Sequence, residues 1–392
     1  MPRAFLNLAG ALVAALAIAG GAHAAEVAAA PFGATKDGRA ILKTTLRNDR
    51  GMVVSAIDYG ATLTAIETPD RKGEVRNILL SQPTVAGYEA TQRRYAATIG
   101  RYAGRLGGAR FVLDGKVHAL EPGKNGATLH GGSRGYDKRV WSSQTVSDRR
   151  SVGVRFTLVS PDGDQGFPGR LEVSVTYRLM RRSNELRVEY TARADAPTVV
   201  NLTNHGFFNL GGAGQGDVLG QRVWIDADRH AEVDQSKIPT GRLLPVQGTV
   251  LDFRKPALIG ARLNLSDPLL ASSQGFDHSL VFRTPGGASR PVAWMEDPAS
   301  GRRMEISTTE PSVQFNSGNG FDGSEVGSEG VAYRQHDGFA FETQHLPDSP
   351  NRPGFPSTTL RPGRVLHTTT ILSFPGPVVH GQIAFHPSGS VK

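Results

Sequence analysis

The stretch RLEVSVTYRLM, residues 170–180, alternates apolar and polar side chains without a break. Leu171, Val173, Val175, Tyr177 and Leu179 fall on one face, and Glu172, Ser174, Thr176 and Arg178 on the other. Successive strand side chains point to opposite faces, so a period of two specifies a half-buried strand. ELRVEYTA repeats the pattern with Leu186, Val188 and Tyr190, and the two segments read as a hairpin turning at Arg181 to Asn184. RFVLDGKVHAL reads as a second hairpin, because Asp114-Gly115 suits turn positions with positive φ. Helical periodicity is scarce: the best stretch, residues 84–100, is short and interrupted by Gly87. With 47 glycines and 24 prolines as punctuation, the expectation is a mostly β chain built as a large antiparallel β-sandwich. No internal repeat or composition break divides it, so one domain is expected over residues 32–392, after a short Ala-rich leader at 25–31.

Residues 1–24 read differently. Arg3, an apolar run and the small-x-small ending Ala22-His23-Ala24 have the form of a secretory signal peptide cleaved after Ala24. The apolar run falls below the ~20 residues of a membrane span. A periplasmic protein with no membrane anchor after cleavage is expected. The formal charge is +8, but the longest basic runs are pairs such as Arg93-Arg94 and Arg181-Arg182, dispersed among acids. These read as solvated surface, and no nucleic-acid partner is expected.

The absence of cysteine removes disulfides, thiolate metal sites and a cysteine nucleophile together. The 11 histidines show no paired ligand spacing, so no metal is expected, and no phosphate-binding glycine loop calls for a nucleotide. GGSRG at 131–135 matches the nucleophile elbow of serine hydrolases, yet no buried strand precedes it and no amphipathic helix follows. The chemistry must come from ordinary side chains, without a cofactor.

Five separated segments combine polar groups with glycine or aromatic residues, as a sugar pocket requires. GRYAGR carries Arg105, TLHGGSRGYDKRVW carries His130 and Trp141, and NLTNHGFFNLGG carries His205. GFDHSLVF carries Asp277, and FAFETQHLPDSPN carries Glu342. Singly, each has a bland reading: a surface ion pair, a turn histidine, a strand-end polar pair, or an outward-facing edge residue. Glu342 is the hardest to dismiss, because it follows Phe339-Ala340-Phe341, and a carboxylate on an apolar strand is expensive to bury unless hydrogen-bonded or used.

Taken in order, these motifs resemble the aldose 1-epimerases, the galactose-mutarotase family. The likeness extends through residues 51–80, 308–323 and 351–374, so that it covers roughly residues 32 to 385. It implies a β-supersandwich that opens the pyranose ring of a free aldohexose and recloses it on the other face. By motif match His205 would be the general acid on the ring oxygen and Glu342 the general base on the anomeric hydroxyl. Arg105, His130, Asp277 and Gln314 would bind the sugar. A histidine titrating near neutrality and a glutamate ionised at pH 7 would serve this exchange. The expected partner is a small-molecule sugar, and the expected assembly a monomer or homodimer. Two positions depart from the family pattern: Gly104 stands where asparagine is common, and Gly206-Phe207 where Ser-Tyr is common. The rival readings are a mutarotase for another sugar and a non-catalytic periplasmic carbohydrate-binding protein on the same fold.

Overall fold

The hairpin of residues 170–194 forms the middle of the larger of two principal sheets in the computed structural model, which describes residues 25–284 and 286–376. Its strands are Leu171–Met180 and Glu185–Ala194, in register from Leu171↔Ala194 to Leu179↔Leu186. Nine strands make this sheet, with Ser142–Ser147 and Ser151–Ser160 on one side of the hairpin. On the other side come Leu366–Ser373, Arg303–Thr308, Arg290–Glu296, Arg222–Ile225 and Ala257–Leu258.

The second sheet has six strands, in the order Phe207–Phe208, Phe339–Gln344, Ser312–Asn316, Asp277–Phe282, Ala227–Val233 and Pro239–Pro245. Tyr177, Val188 and Ile306 from the nine-stranded sheet share one hydrophobic cluster with Leu280, Val313, Phe315 and Phe341 from the six-stranded sheet. This is the expected antiparallel sandwich, its core lying between two inner faces. Leu46, Val54 and Leu63, from a further sheet of five strands, join the same cluster.

The second expected hairpin is present, with Asp114 at φ 50° and Gly115 at φ 78° between Arg110–Leu113 and Lys116–Ala119. Two expectations change. The Ala-rich residues read as a leader lie within an edge strand, Glu26–Ala34, paired with Ala40–Arg47. Apart from Glu26 with Arg47 and Phe32 with Lys43, the strand is mostly small residues, so its side chains gave no alternation to detect. The helix within residues 84–100 is only Val85–Ala90, with the Thr84 hydroxyl accepting from Gly87 N–H. Beyond Thr91 the chain kinks, and Arg94 and Ala96 take φ values of 57° and 49°. Among the described residues no helix is long and apolar enough to cross a membrane. The signal-like segment 1–24 lies outside the described residues.

Arg101, only 2% exposed, fastens several loops together. Its Nη1 donates to Pro168 O and Gly169 O at 2.8 Å, and its Nη2 to Ser160 Oγ at 2.6 Å and Pro161 O at 3.2 Å. Its own carbonyl accepts from Asn201 N–H, linking GRYA to NLTN. Replacing Arg101 by Met keeps the apolar stem but leaves several buried oxygens unpaired, each worth roughly 1–3 kcal/mol. Arg101→Met is therefore expected to lose at least ~3 kcal/mol of unfolding free energy. Urea denaturation measures this, and a loss under ~1 kcal/mol contradicts the clamp.

Candidate active site

Adjacent strands set the centre of the site. Phe207 pairs with Ala340 and Phe208 with Phe339; continuing that antiparallel register toward lower numbers brings His205 opposite Glu342. On the far side of Glu342, Gln314 is its direct partner, and Ser279 is the partner of Gln314. Asp277 stands two residues from Ser279, on the same face of its strand by the period-two rule. Residues separated by up to 137 positions in sequence thus form one row of neighbouring strands. Arg105 and His130 join from the paired segments Arg105–Leu106 and Thr128–Leu129. Together these side chains line a cavity of about 640 Å³.

Each motif divides its labour. In TNH, the Thr203 hydroxyl donates to Thr343 O at 3.0 Å, and the Asn204 amide donates to Ala96 O at 2.6 Å. With the two preceding residues tied down, His205 is presented to the cavity. In HGG, Gly131 lies so near residue 100 that a Cβ would sit 2.0 Å from Gly100 O, and its φ is 83°. In FDH, Asp277 faces the cavity and accepts from Gln314 Nε2 at 2.8 Å, while His278 accepts from Asp277 N–H and faces Leu269 O. In ETQ, Thr343 meets Thr370, on the side opposite Glu342.

His205 Nε2 lies 3.5 Å from Glu342 Oε1, with the side chains 12% and 3% exposed. His205 Nδ1 and Glu342 Oε2 are buried without hydrogen-bond partners. Burial, reinforced by the Arg94 charge, lowers the His205 pKa to about 4. Burial, with Asp277 adding repulsion, raises Glu342 to about 8 against the opposing pull of Arg94 and Arg105. The sequence-based expectation of a near-neutral histidine and an ionised glutamate is therefore corrected. Desolvation disfavours both charges, and at neutral pH the free pair holds one proton, resting on Glu342. Asp277 behaves differently: burial pushes its carboxyl up, but Arg105, Lys237 and Gln314 outweigh that and hold it below the usual range.

His130, His205 and Glu342 bring one ligand-type atom each within 4.8 Å of one another, close enough to cradle a cation. The tautomer of His130 works against that use. Its Nδ1 accepts the Gly104 N–H at 3.2 Å, so in the neutral ring the proton sits on Nε2, which becomes a donor rather than a ligand. Burial, followed by Arg94 and His205, keeps this ring neutral by lowering its pKa well below the ordinary value.

The structure brings together all six residues singled out from the sequence: Arg105, His130, His205, Asp277, Gln314 and Glu342. Trp141 belongs elsewhere, buried edge-on against Tyr136 with its indole N–H on Tyr136 O. Ser133 of GGSRG is exposed and donates to Glu121, without an elbow geometry. Arg93-Arg94, read as solvated surface, line the cavity instead. Asn201 was missed altogether. Its buried amide donates to Ala103 O and His345 O and accepts from His345 N–H, tying three site segments together. An asparagine inside the apolar run VVNL was the available signal. The two departures also have causes: at Gly104 (φ 82°) a Cβ would lie 2.8 Å from Pro347 Cγ, and at Gly206 one would lie 2.9 Å from the Phe208 ring.

The chain as a whole is similar to known proteins. Residues 43–373 match the family model described as aldose 1-epimerase. Rat (Rattus norvegicus) galactose mutarotase is 41% identical over 337 residues, covering 86% of this chain and 95% of that one. The aldose 1-epimerase of Escherichia coli K12 is 38% identical over 341 residues, covering 86% and 96%. Among solved structures, galactose 1-epimerase from Lactobacillus acidophilus aligns with a TM-score of 0.80 at 28% identity, covering 91% and 100%.

The charge balance around Glu342 is directly measurable. Its carboxyl is expected to titrate near about 8 in the free protein. Arg105→Leu removes a cation that favours the ionised form, so the titration must move to higher pH. Difference infrared spectroscopy of the carboxyl band, with Glu342→Gln to assign it, reads both. An ordinary midpoint near ~4.3 contradicts the desolvated site.

Proposed function

The chain belongs to the aldose 1-epimerase family and interconverts the α and β anomers of aldoses, and from that premise we propose that Glu342 and His205 carry the two proton transfers. The 3.5 Å approach of His205 Nε2 to Glu342 Oε1 is the observation that carries this assignment. In a pyranose O1 and O5 are bonded to the same carbon. A base for one and an acid for the other must therefore both reach the surroundings of that one carbon, and His205 and Glu342 are close enough to do so.

In the opening step the Glu342 carboxylate takes the O1 proton, imidazolium His205 delivers a proton to O5, and the C1–O5 bond breaks. The products are an open-chain aldehyde, a protonated Glu342 and a neutral His205. Rotation about C1–C2 turns the other carbonyl face toward the O5 hydroxyl. Closure then reverses both transfers: His205 takes the O5 proton and Glu342 returns one to O1. No proton is gained or lost, and no bond to carbon-bound hydrogen breaks.

The burial-shifted groups of the free site hold the single proton on Glu342, which is the arrangement of the aldehyde complex. Binding a cyclic sugar must draw that proton across to His205, helped by donation of the O1 hydroxyl to the carboxylate. Arg105, Asp277 and Gln314 hold the sugar, and His130 donates from Nε2.

Glu342→Gln and His205→Asn are each expected to lower kcat at least ~100-fold, the lower bound for a general acid or base. For the wild type, kcat/KM should follow a bell. Activity falls below about 4, where both groups are protonated and no base remains. It falls above about 8, where the pair has lost its only proton. Polarimetry on freshly dissolved α-glucose and α-galactose measures both. A variant that keeps more than about a tenth of wild-type kcat breaks the assignment.

Export is part of the same reading, and rests on Arg3, the apolar run and Ala22-His23-Ala24. The mature chain is expected to begin at Ala25 in the periplasmic fraction. N-terminal sequencing that finds Met1 on soluble cytoplasmic protein overturns it.

A further inference from the structure

Strand order also decides which part of a bound pyranose meets which wall. The strand carrying Glu342 borders His205 on one side; the segment from Arg94 to Ile99 borders it on the other. Ala96 N–H donates to His205 O at 2.9 Å, His205 N–H donates to Ala97 O at 3.1 Å, and Thr98 and Ile99 pair with Asn204 and Thr203. Across the cavity the order is therefore the Arg94 segment, His205, Glu342, Gln314 and then the strand of Asp277. Along the sugar the atoms run C6, C5, O5, C1, O1. With O5 at His205 and O1 at Glu342, the C5 substituent extends away from Glu342, toward Arg94.

Arg94 is built to meet it. Its backbone is held left-handed (φ 57°), and its carbonyl accepts from Ala97 N–H at 2.9 Å, closing a turn one rung from His205. The side chain is 18% exposed and lines the cavity. Behind it lies Asp137, 3% exposed, which forms an ion pair with Arg94 at 3.7 Å from Nε, beyond hydrogen-bond range. Nη1 donates to Gln92 O at 3.0 Å. That leaves the Arg94 Nε buried without an acceptor, in a guanidinium whose charge acts on His130, His205 and Glu342 alike. The neighbouring wall is apolar, formed by Phe207 and Phe321 with ring centroids 4.9 Å apart.

We propose that Arg94 reads the C5 substituent of the sugar, and that this cavity takes aldoses whose C6 is a carboxylate, the hexuronic acids, in preference to neutral hexoses. The inference rests on the acid–base assignment above, since that assignment orients the ring. A guanidinium in a half-buried wall binds a carboxylate through charge-assisted hydrogen bonds, roughly twice as strong as those to a neutral hydroxyl. A hydroxymethyl group offers that charge only a neutral, weaker acceptor. A phosphate at C6 would bring further negative charge beside Arg94, and the adjacent Arg93 is already engaged over the Phe321 ring and with Asp322 at 3.6 Å.

The test compares enzyme-catalysed anomerisation of D-glucuronate and D-galacturonate with that of D-glucose and D-galactose, by NMR exchange spectroscopy at pH 6.5. Glucose 6-phosphate is run as a third arm. Wild-type protein is expected to show a higher kcat/KM for each uronate than for its neutral counterpart, and a lower one for the phosphate. Arg94→Gln should cut uronate kcat/KM at least tenfold more than hexose kcat/KM, mainly through KM, and Arg94→Lys should restore part of the difference. Raised salt should shrink the uronate advantage. Wild-type preference for neutral hexoses overturns the proposal without any variant having to fold, as does preference for the phosphate or an equal loss on both sugar classes in Arg94→Gln. Loss of turnover on every aldose in Glu342→Gln and His205→Asn belongs to the acid–base assignment, and stands whichever way the uronate comparison falls.

Discussion

A carboxylate buried beside an imidazole, 3.5 Å apart and each with a ring nitrogen or oxygen left unpaired, is the arrangement on which the rest of this protein depends. Burying such groups without full hydrogen bonding opposes folding. It persists because the backbone around it is over-determined. Thr203 and Asn204, just before His205, bind in opposite directions to Thr343 O and Ala96 O, and Asn201 joins three site segments. Arg101 clamps several loops together. The sandwich core, shared by both principal sheets, supplies the stability against which the site is strained.

Electrostatics in the cavity follow from the same burial. Desolvation moves His205 and Glu342 in opposite directions, so that a single proton serves both. Arg94 and Arg105 favour the ionised glutamate, whereas Asp277 opposes it, and Asp277 is itself held ionised by Arg105, Lys237 and Gln314. The balance resembles other acid–base sites in which environment, rather than residue type, decides which group holds the proton. A reversible ring opening gains from near-degenerate proton positions, because each transfer must run both ways.

Much of the fold was legible beforehand, and the reason is local. Period-two alternation at 170–194 and the Asp114-Gly115 turn each need only a few consecutive residues to specify their geometry. The edge strand Glu26–Ala34 was not legible, because its alanines carry no alternation. The helix stopped at Ala90 because the chain beyond Thr91 is taken up by contacts with the His205 strand. Resemblance to a family found six cavity residues by motif. It did not find Asn201, whose role is to pair with distant backbone, or Arg94, whose sequence neighbours look like surface.

What the sequence by itself determined is the strand-rich class, the hairpins, and the side chains available for proton transfer. These depend on residue type and on spacings of a few positions. Only the tertiary structure decided that Glu342 stands opposite His205, that Arg94 borders the same histidine from the other side, and that both members of the pair are largely removed from solvent. Register between strands more than a hundred residues apart is set by packing the whole sheet at once. The solvation that shifts their proton affinities belongs to the cavity and to no residue alone.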